Sequence, residues 1–418
     1  MQASLDFLVF APNPWQDLWR NRQQIFSRLA ERHRVLYVEP ARASLRDWRQ
    51  GLIGAGDVRR PIVIQEGPNL QLWRSPVWLP IRGTGGRFDS ASDSVLAWHL
   101  RRTMAQLGFA GQGGSEEDST APVAGGKSQM PEQILPLLWL YRPVKWRWAR
   151  ANFPHSLLVY HVTDDYTAFG HLTPAQREAT AAAERELLAA ADLTIVTSAR
   201  LMLLKSAEAK RIELVPNAVD YPAFQRVLTD SRPPAGMQGI PYPRLGYSGH
   251  VSSRLDLSLL RQVGLARPEW QLVFAGSQWD SDCTEALAAL KALPNVHFLG
   301  QLPVEKVPRF IAACDVCLIP YRVNDETRAI SSLKLYEYLA AGRPVVSAAV
   351  PAAEEHGDVV LIAAANGQSW IDAIDRALAT VDDPDLIAAR RQIAAANTWD
   401  DRVEQIEEIV AEAIESLE

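Results

Sequence analysis

Cysteine is scarce in this chain, with three residues among 418, at positions 283, 314 and 317. That count excludes a disulfide-stapled scaffold. Cys314 and Cys317 do form a C-x-x-C, but inside the apolar run Ile311 to Pro320 and with no second ligand pair. Buried strand cysteines are therefore expected, and no metal site. Long apolar runs are also missing. No stretch of eighteen apolar residues occurs, which excludes a membrane-spanning helix of ordinary length. The short apolar run Phe7 to Ala11 follows Asp6 and has no basic segment before it, so it is not expected to be a signal peptide. A cytoplasmic chain is the expectation. No basic-aromatic array repeats along any element, which argues against nucleic acid as a partner.

What is present is globular: 47% hydrophobic and 22% charged residues. A chain of 418 residues exceeds one ordinary core, and two domains are expected. The charge is uneven. The first 160 residues carry 20 Lys and Arg against 13 Asp and Glu, a net of +7, while the remainder carries 23 against 36, a net of −13. A basic first half suits an anionic acceptor or an anionic membrane surface, the latter making the chain peripheral at the inner face of the plasma membrane. It equally suits a solvated arginine-rich surface.

Strand and helix patterns alternate along the chain. Asp6 to Ala11 reads as a buried strand, Arg20 to Arg32 as an amphipathic helix and Val35 to Val38 as the next strand. Trp15, Trp19, Arg20 and Arg22 follow the carboxyl end of that first strand, the edge at which open α/β sheets bind ligands. A helix-start staple with surface arginines is the other reading. Short strands at Ile62 to Ile64 and Leu70 to Trp73 and a helix over about Ser90 to Leu107 follow. Residues 111–131 are rich in Gly and Ser and read as a disordered insertion. After a strand at Ile134 to Tyr141, a basic-aromatic turn or short helix (Arg142, Lys145, Trp146, Arg147, Trp148, Arg150) suits a membrane surface, or a solvated helix with two buried tryptophans.

The strand Leu157 to Val162 ends in Thr163-Asp164-Asp165. Carboxylates there belong in a cleft as general base, Asp164 first and Asp165 in reserve, unless they cap the next helix. The alternation runs on to Val215, and residues 1–220 form a first domain. Residues 221–242 hold four prolines and two glycines without periodicity and read as a linker. A second alternation over 243–396 follows, with Gly246, Gly249 and His250 after its first strand as a glycine turn for phosphate. Trp399 opens a last amphipathic helix within 397–418. The fold class is α/β, with two successive doubly wound domains whose carboxyl edges face one cleft.

The second domain contains the sequence Ile330-Ser331-Ser332-Leu333-Lys334-Leu335-Tyr336-Glu337, a helix start with serine caps and a cation in its first turn. The helix dipole disfavours a cation there unless an anion also sits there, and a helix N-terminus is a phosphate site. Glu337 lies one turn further along the same face and suits a ribose. An ordinary solvated helix carries such a pair as well.

The segment Leu333 to Val346, with Ala191 to Ser198 and Val215 to Asp220, resembles the GT-B glycosyltransferases, including their family-4-like members. The resemblance implies two Rossmann-like domains about a central cleft, a C-terminal helix crossing back, and sugar transfer from a nucleotide sugar without an obligatory metal or cofactor. Retaining members usually carry Glu eight positions before the equivalent of Glu337, and here Ala329 stands there. Arg254 alone stands where those members have a basic pair. Val159 to Asp164 with Ser331-Ser332-Leu333-Lys334 resembles the inverting glucuronosyltransferases of exopolysaccharide assembly. That comparison implies Asp164 as base, Lys334 on the diphosphate, and Tyr321 and Glu337 on the nucleotide. Expected partners are a nucleotide-sugar donor, probed best as a UDP-sugar, and a saccharide or lipid-linked acceptor. A nucleotide-sugar epimerase or hydrolase, or a non-catalytic scaffold, would use the same fold.

Overall fold

The computed structural model describes residues 4–40, 61–76, 87–109, 135–170, 172–228, 232–278 and 283–418. The stretch read as a disordered insertion, 111–131, lies outside the described residues. Two sheets carry the molecule. The first has eight strands: β1 (Asp6–Phe10), β2 (Arg34–Val38), β3 (Ile62–Gly67), β4 (Leu70–Arg74), β5 (Leu137–Leu140), β6 (Leu157–Val162), β7 (Leu193–Val196) and β8 (Ile212–Leu214), in the order β3-β4-β2-β1-β5-β6-β7-β8. All neighbours are parallel except the edge pair β3 and β4. The second sheet is parallel throughout: β9 (Arg244–Ser248), β10 (Gln271–Ala275), β11 (Val296–Phe298), β12 (Val316–Ile319), β13 (Val345–Ala348) and β14 (Val360–Ala363), ordered β11-β10-β9-β12-β13-β14.

Parallel strands must be covered on both faces, so their sequences are apolar without alternation. Leu137-Leu138-Trp139-Leu140 and Val316-Cys317-Leu318-Ile319 are buried at every position for this reason. Strand order reverses between β1 and β5 in one sheet and between β9 and β12 in the other. At such switch points the flanking loops part and leave a crevice. The residues leaving β1, β5, β9 and β12 therefore set the positions available to a ligand.

The chain crosses between domains twice at one place. Val219 donates its N–H to Asn397 O at 3.0 Å, and Trp399 N donates to Val219 O at 3.2 Å. The helix Trp399–Glu415 then lies on the first domain, where Trp399, Val403, Ile406 and Val410 join the core around Phe7 and Trp139. Glu407 fixes its azimuth by meeting His33 at 2.8 Å and Arg32 at 2.6 Å.

Two expectations are corrected. The stretch 221–242 contains the helix Tyr221–Leu228, whose Phe224 enters the second domain's core. Eight residues are too few for periodicity to emerge among prolines. Gly246 is not part of a phosphate turn. It lies in mid-strand, where a Cβ would stand 2.3 Å from Cys314 Sγ, so its lack of a side chain makes room for the cysteine. The basic-aromatic stretch after β5 is a short helix, Trp146–Asn152, one of the two forms expected of it, and two of its cations are engaged within the molecule. Lys145 pairs with Asp93 at 2.5 Å and Arg147 with Glu186 at 2.5 Å. Among the described residues, no helix is long and apolar enough to cross a membrane.

Gly246→Ala is expected to destabilise the second domain by about 1–3 kcal/mol through overpacking. Adding Cys314→Ala should recover much of that loss, and a denaturant titration of the single and double variants reads the coupling.

Candidate active site

The carboxyl edges of the two sheets enclose a cleft of about 1220 Å³. Its second-domain wall is built around Lys334. The helix Leu333–Ala340 starts with Ser332 in extended backbone, and its first turn holds no acidic residue. Lys334 Nζ donates to Tyr321 Oη at 3.1 Å and lies 5.5 Å from the centre of the Tyr247 ring. It forms no ion pair with any described residue. Its stem passes over the turn after β9, where Gly249 has φ +135° and a Cβ would stand 2.4 Å from Lys334 Cε. That φ is one that residues with a Cβ rarely adopt, which favours glycine there. Ser332 is 4% exposed, and its Oγ has no partner among the described residues. A desolvated ammonium and an unpartnered hydroxyl at a helix N-terminus are complementary to an anion.

The neighbouring expected residues differ in role. Ser331 Oγ accepts from Asn217 N at 3.1 Å, and Asn217 Nδ2 donates to Ser331 O at 2.6 Å, so Ser331 ties the helix start to the first domain. Leu333 packs on the first domain's core. His250 hydrogen-bonds Ser277 through Nδ1, and burial with Arg20 nearby pushes its pKa down to about 4, which keeps it neutral at pH 7. Glu337 lines the cleft and makes no side-chain hydrogen bond to the described residues. Burial pushes its pKa up to about 7, with Lys334 opposing the shift.

The first-domain wall presents Asp164. Thr163 Oγ1 donates to its Oδ2 at 3.2 Å, and Arg254 reaches it from the second domain at 3.6 Å. Arg254 also pairs with Glu326 at 2.5 Å, so one guanidinium bridges the cleft between two carboxylates. Trp19 and Arg20 line the same wall.

Two expected residues are not in the cleft. Asp165 accepts from Thr167 N at 3.2 Å and Oγ1 at 2.7 Å and pairs with Lys205 at 3.4 Å. It caps a helical turn and balances a buried lysine, and it does not serve as a reserve base. Trp15 packs edge-on against Tyr37 with ring centres 5.0 Å apart, and its backbone N–H donates to Glu39 Oε1 at 2.6 Å, so it is core. Asn217, Tyr247 and Glu326 were not singled out from sequence and do line the cleft. Asn217 sits where the first domain ends, and that position was the available signal. Tyr247 and Glu326 carried none, being one more strand aromatic and one more helix-start acid. Among the described residues, no group of three or more His, Cys, Asp or Glu is arranged to hold a metal ion.

This is the GT-B fold of glycosyltransferases, with two doubly wound α/β domains and a C-terminal helix returning to the first. Residues 243–380 match the family of group 1 glycosyl transferases. The chain is 28% identical over 208 residues to a putative teichuronic acid biosynthesis glycosyltransferase, TuaH, of Bacillus subtilis (strain 168); the match spans 48% of this chain and about half (51%) of that relative. Among solved structures, sucrose-phosphate synthase from Thermosynechococcus elongatus superposes with a TM-score of 0.68 at 18% identity, covering 99% of this chain and 100% of that one. Anabaena Alr3699/HepE in complex with UDP and glucose superposes with a TM-score of 0.64 at 14% identity, covering 98% and 100%.

Glu337 generates a stability signature. Its folded pKa of about 7 exceeds the ordinary 4.5, so the folded state binds the proton more tightly. Stability is then lost as pH rises from about 4.5 towards 7 and stays lower above that. Glu337→Gln removes this dependence. Relative to wild type it should gain up to about 2 kcal/mol more at pH 8 than at pH 5, read by denaturant melts at both values.

Proposed function

We propose that the chain transfers a sugar from a nucleotide-sugar donor, a UDP-sugar, to a hydroxyl of a saccharide or lipid-linked acceptor in the assembly of a surface polysaccharide. The observation that carries this reading is the desolvated Lys334 ammonium beside the unpartnered Ser332 hydroxyl, facing Asp164 across one cleft. The relative in teichuronic acid biosynthesis and the neighbour holding UDP and glucose support the substrate class.

Lys334, Ser332 and the helix N-terminus hold the diphosphate. Their attraction grows as the glycosyl–oxygen bond breaks and charge builds on the leaving group. Glu337, when ionised, accepts from the ribose hydroxyls, and Tyr321 and Gly249 shape the nucleotide pocket. The acceptor oxygen attacks the anomeric carbon while its proton passes to Asp164, and the nucleoside diphosphate leaves with the electron pair of the broken bond. Attack from the side opposite the diphosphate inverts the anomeric centre. Ala329 supports inversion. It is fully buried, its carbonyl accepts from Ser198 Oγ at 2.7 Å, and no carboxylate stands at that position. Arg254, 3.6 Å from Asp164, aligns its carboxylate before the acceptor arrives.

Asp164→Asn is expected to lower turnover by roughly 100-fold or more with UDP affinity retained, since it removes a proton acceptor and preserves the shape. Lys334→Ala should weaken UDP binding about 10- to 100-fold by calorimetry, the effect of losing a charge-assisted contact. Near-normal turnover in the first variant, or unchanged affinity in the second, would overturn the corresponding role. Incubation with UDP-sugars alone separates transfer from hydrolysis or epimerisation, because transfer requires the acceptor.

A further inference from the structure

A second helix points its amino end into the cleft, from the opposite wall. It is Asn21–Leu29, and its first turn again holds no acid but begins with Arg20 and Arg22. Cations at that end oppose the helix dipole and are offset by an anion placed there. Asn21 and Arg22 are each 3% exposed, and both line the cleft. Yet Asn21 Nδ2 and Arg22 Nε have no partner among the described residues. The contacts Arg22 does make are with neutral groups: Nη1 donates to Asn13 Oδ1 at 2.7 Å, and the guanidinium lies 5.4 Å from the centre of the Tyr141 ring. Arg142, which leaves β5 at the switch point, stacks on Tyr166 at 4.1 Å. Neither Arg20, Arg22 nor Arg142 forms an ion pair with a described residue. The cations of the other wall are engaged differently, Arg254 with Asp164 and Glu326, and Lys334 with Tyr321.

This leaves a set of donors without an acceptor. A buried donor left unpaired is costly, and a guanidinium beside an amide donor is complementary to a flat or tetrahedral oxyanion. We propose that Arg22, Asn21 and Arg20 hold an oxyanion, a carboxylate or phosphate, carried by one of the two sugars and distinct from the donor diphosphate. The inference rests on the reading of the cleft as a site of glycosyl transfer and names the substrate class. At least one sugar in the reaction is anionic. Either the transferred sugar is a uronate, or the acceptor carries a carboxylate or phosphate near its reacting hydroxyl.

The test is calorimetry on the full chain with matched probes. UDP-glucuronate against UDP-glucose reads an anion on the donor. Glucuronate and glucose 6-phosphate, each against glucose and each with and without UDP, read an anion on the acceptor. In at least one pair the anionic probe should bind roughly tenfold more tightly or better, the scale of a charge-assisted contact. Arg22→Gln should reduce that preference to about twofold or less while UDP affinity is retained. Arg22→Lys, which keeps the charge and loses the fork, should retain part of it. Absence of preference in every pair, or a preference that survives Arg22→Gln, overturns the proposal. Should Arg22→Gln fail to fold, Asn21→Leu is judged on the same pairs by the same criterion. If wild type does not bind UDP, the transfer reading fails, and the pairs measured without UDP still decide the anion site.

Discussion

The cleft is organised around a lysine ammonium taken out of water at the start of a helix. Desolvating an ion costs several kcal/mol unless its surroundings repay it. Around Lys334 the offset comes from Tyr247, Tyr321 with its hydrogen bond, and Glu337, which together outweigh the burial and hold the ammonium charged. Several otherwise unrelated features follow from that placement. Gly249, held at φ +135° where glycine is favoured, leaves room for the lysine's far end. Asn217 and Ser331 pin the helix start from the other domain, and Leu333 docks its first residue on the other core. A helix N-terminus held from both sides cannot relax away from the charge it carries.

The same pinning bears on chemistry. Ala329 belongs to the first domain's packing although it lies in the second domain's sequence, with Ser198 bonded to its carbonyl. A longer acidic side chain at that position would enter a filled core in this domain arrangement. The carboxylate that does face the cleft comes from the other wall, as Asp164, and Arg254 spans the gap to meet it. A guanidinium between Asp164 and Glu326 places a positive charge beside both carboxylates and ties the two walls together across the cleft.

Much of this was legible in the chain because helix electrostatics leave a signature in sequence. Lys334 stands in a first turn where a cation is unfavourable, which made the helix a candidate, and the resemblance to the GT-B glycosyltransferases raised it above an ordinary solvated helix. The apolar runs and their breaks gave the alternation, hence two parallel sheets, hence the edge where a site belongs. Other features depended on direction, which spacing does not encode. Asp164 and Asp165 are adjacent, and only the fold shows that one faces the cleft while the other turns to Lys205. Trp15 and Trp19 share a loop, yet Trp15 faces the core and Trp19 the cleft. Gly246 resembled a phosphate turn because a strand glycine and a loop glycine look alike until the cysteine beneath one of them is placed. The helix Tyr221–Leu228 was hidden by its shortness.

The charge asymmetry between the two halves is the feature whose meaning changed most. Taken along the chain, an excess of arginine over the first 160 residues suits an outward surface on anionic lipid. In the fold, part of that excess is engaged in pairs such as Lys145 with Asp93 and Arg147 with Glu186. Another part, Arg20, Arg22 and Arg142, is gathered at the switch point of the first sheet and faces inward. A positive potential inside a low-dielectric cleft acts on a bound group more strongly than the same charges spread over a solvated face. Two helix amino ends then oppose one another across the cleft, one with Lys334 and the other with Arg20 and Arg22 at its start, and each with a buried donor left unpartnered among the described residues. One of them suits the diphosphate of a donor. The symmetry of the arrangement is the physical reason to expect a second anion, and that the sugars themselves differ in charge from glucose.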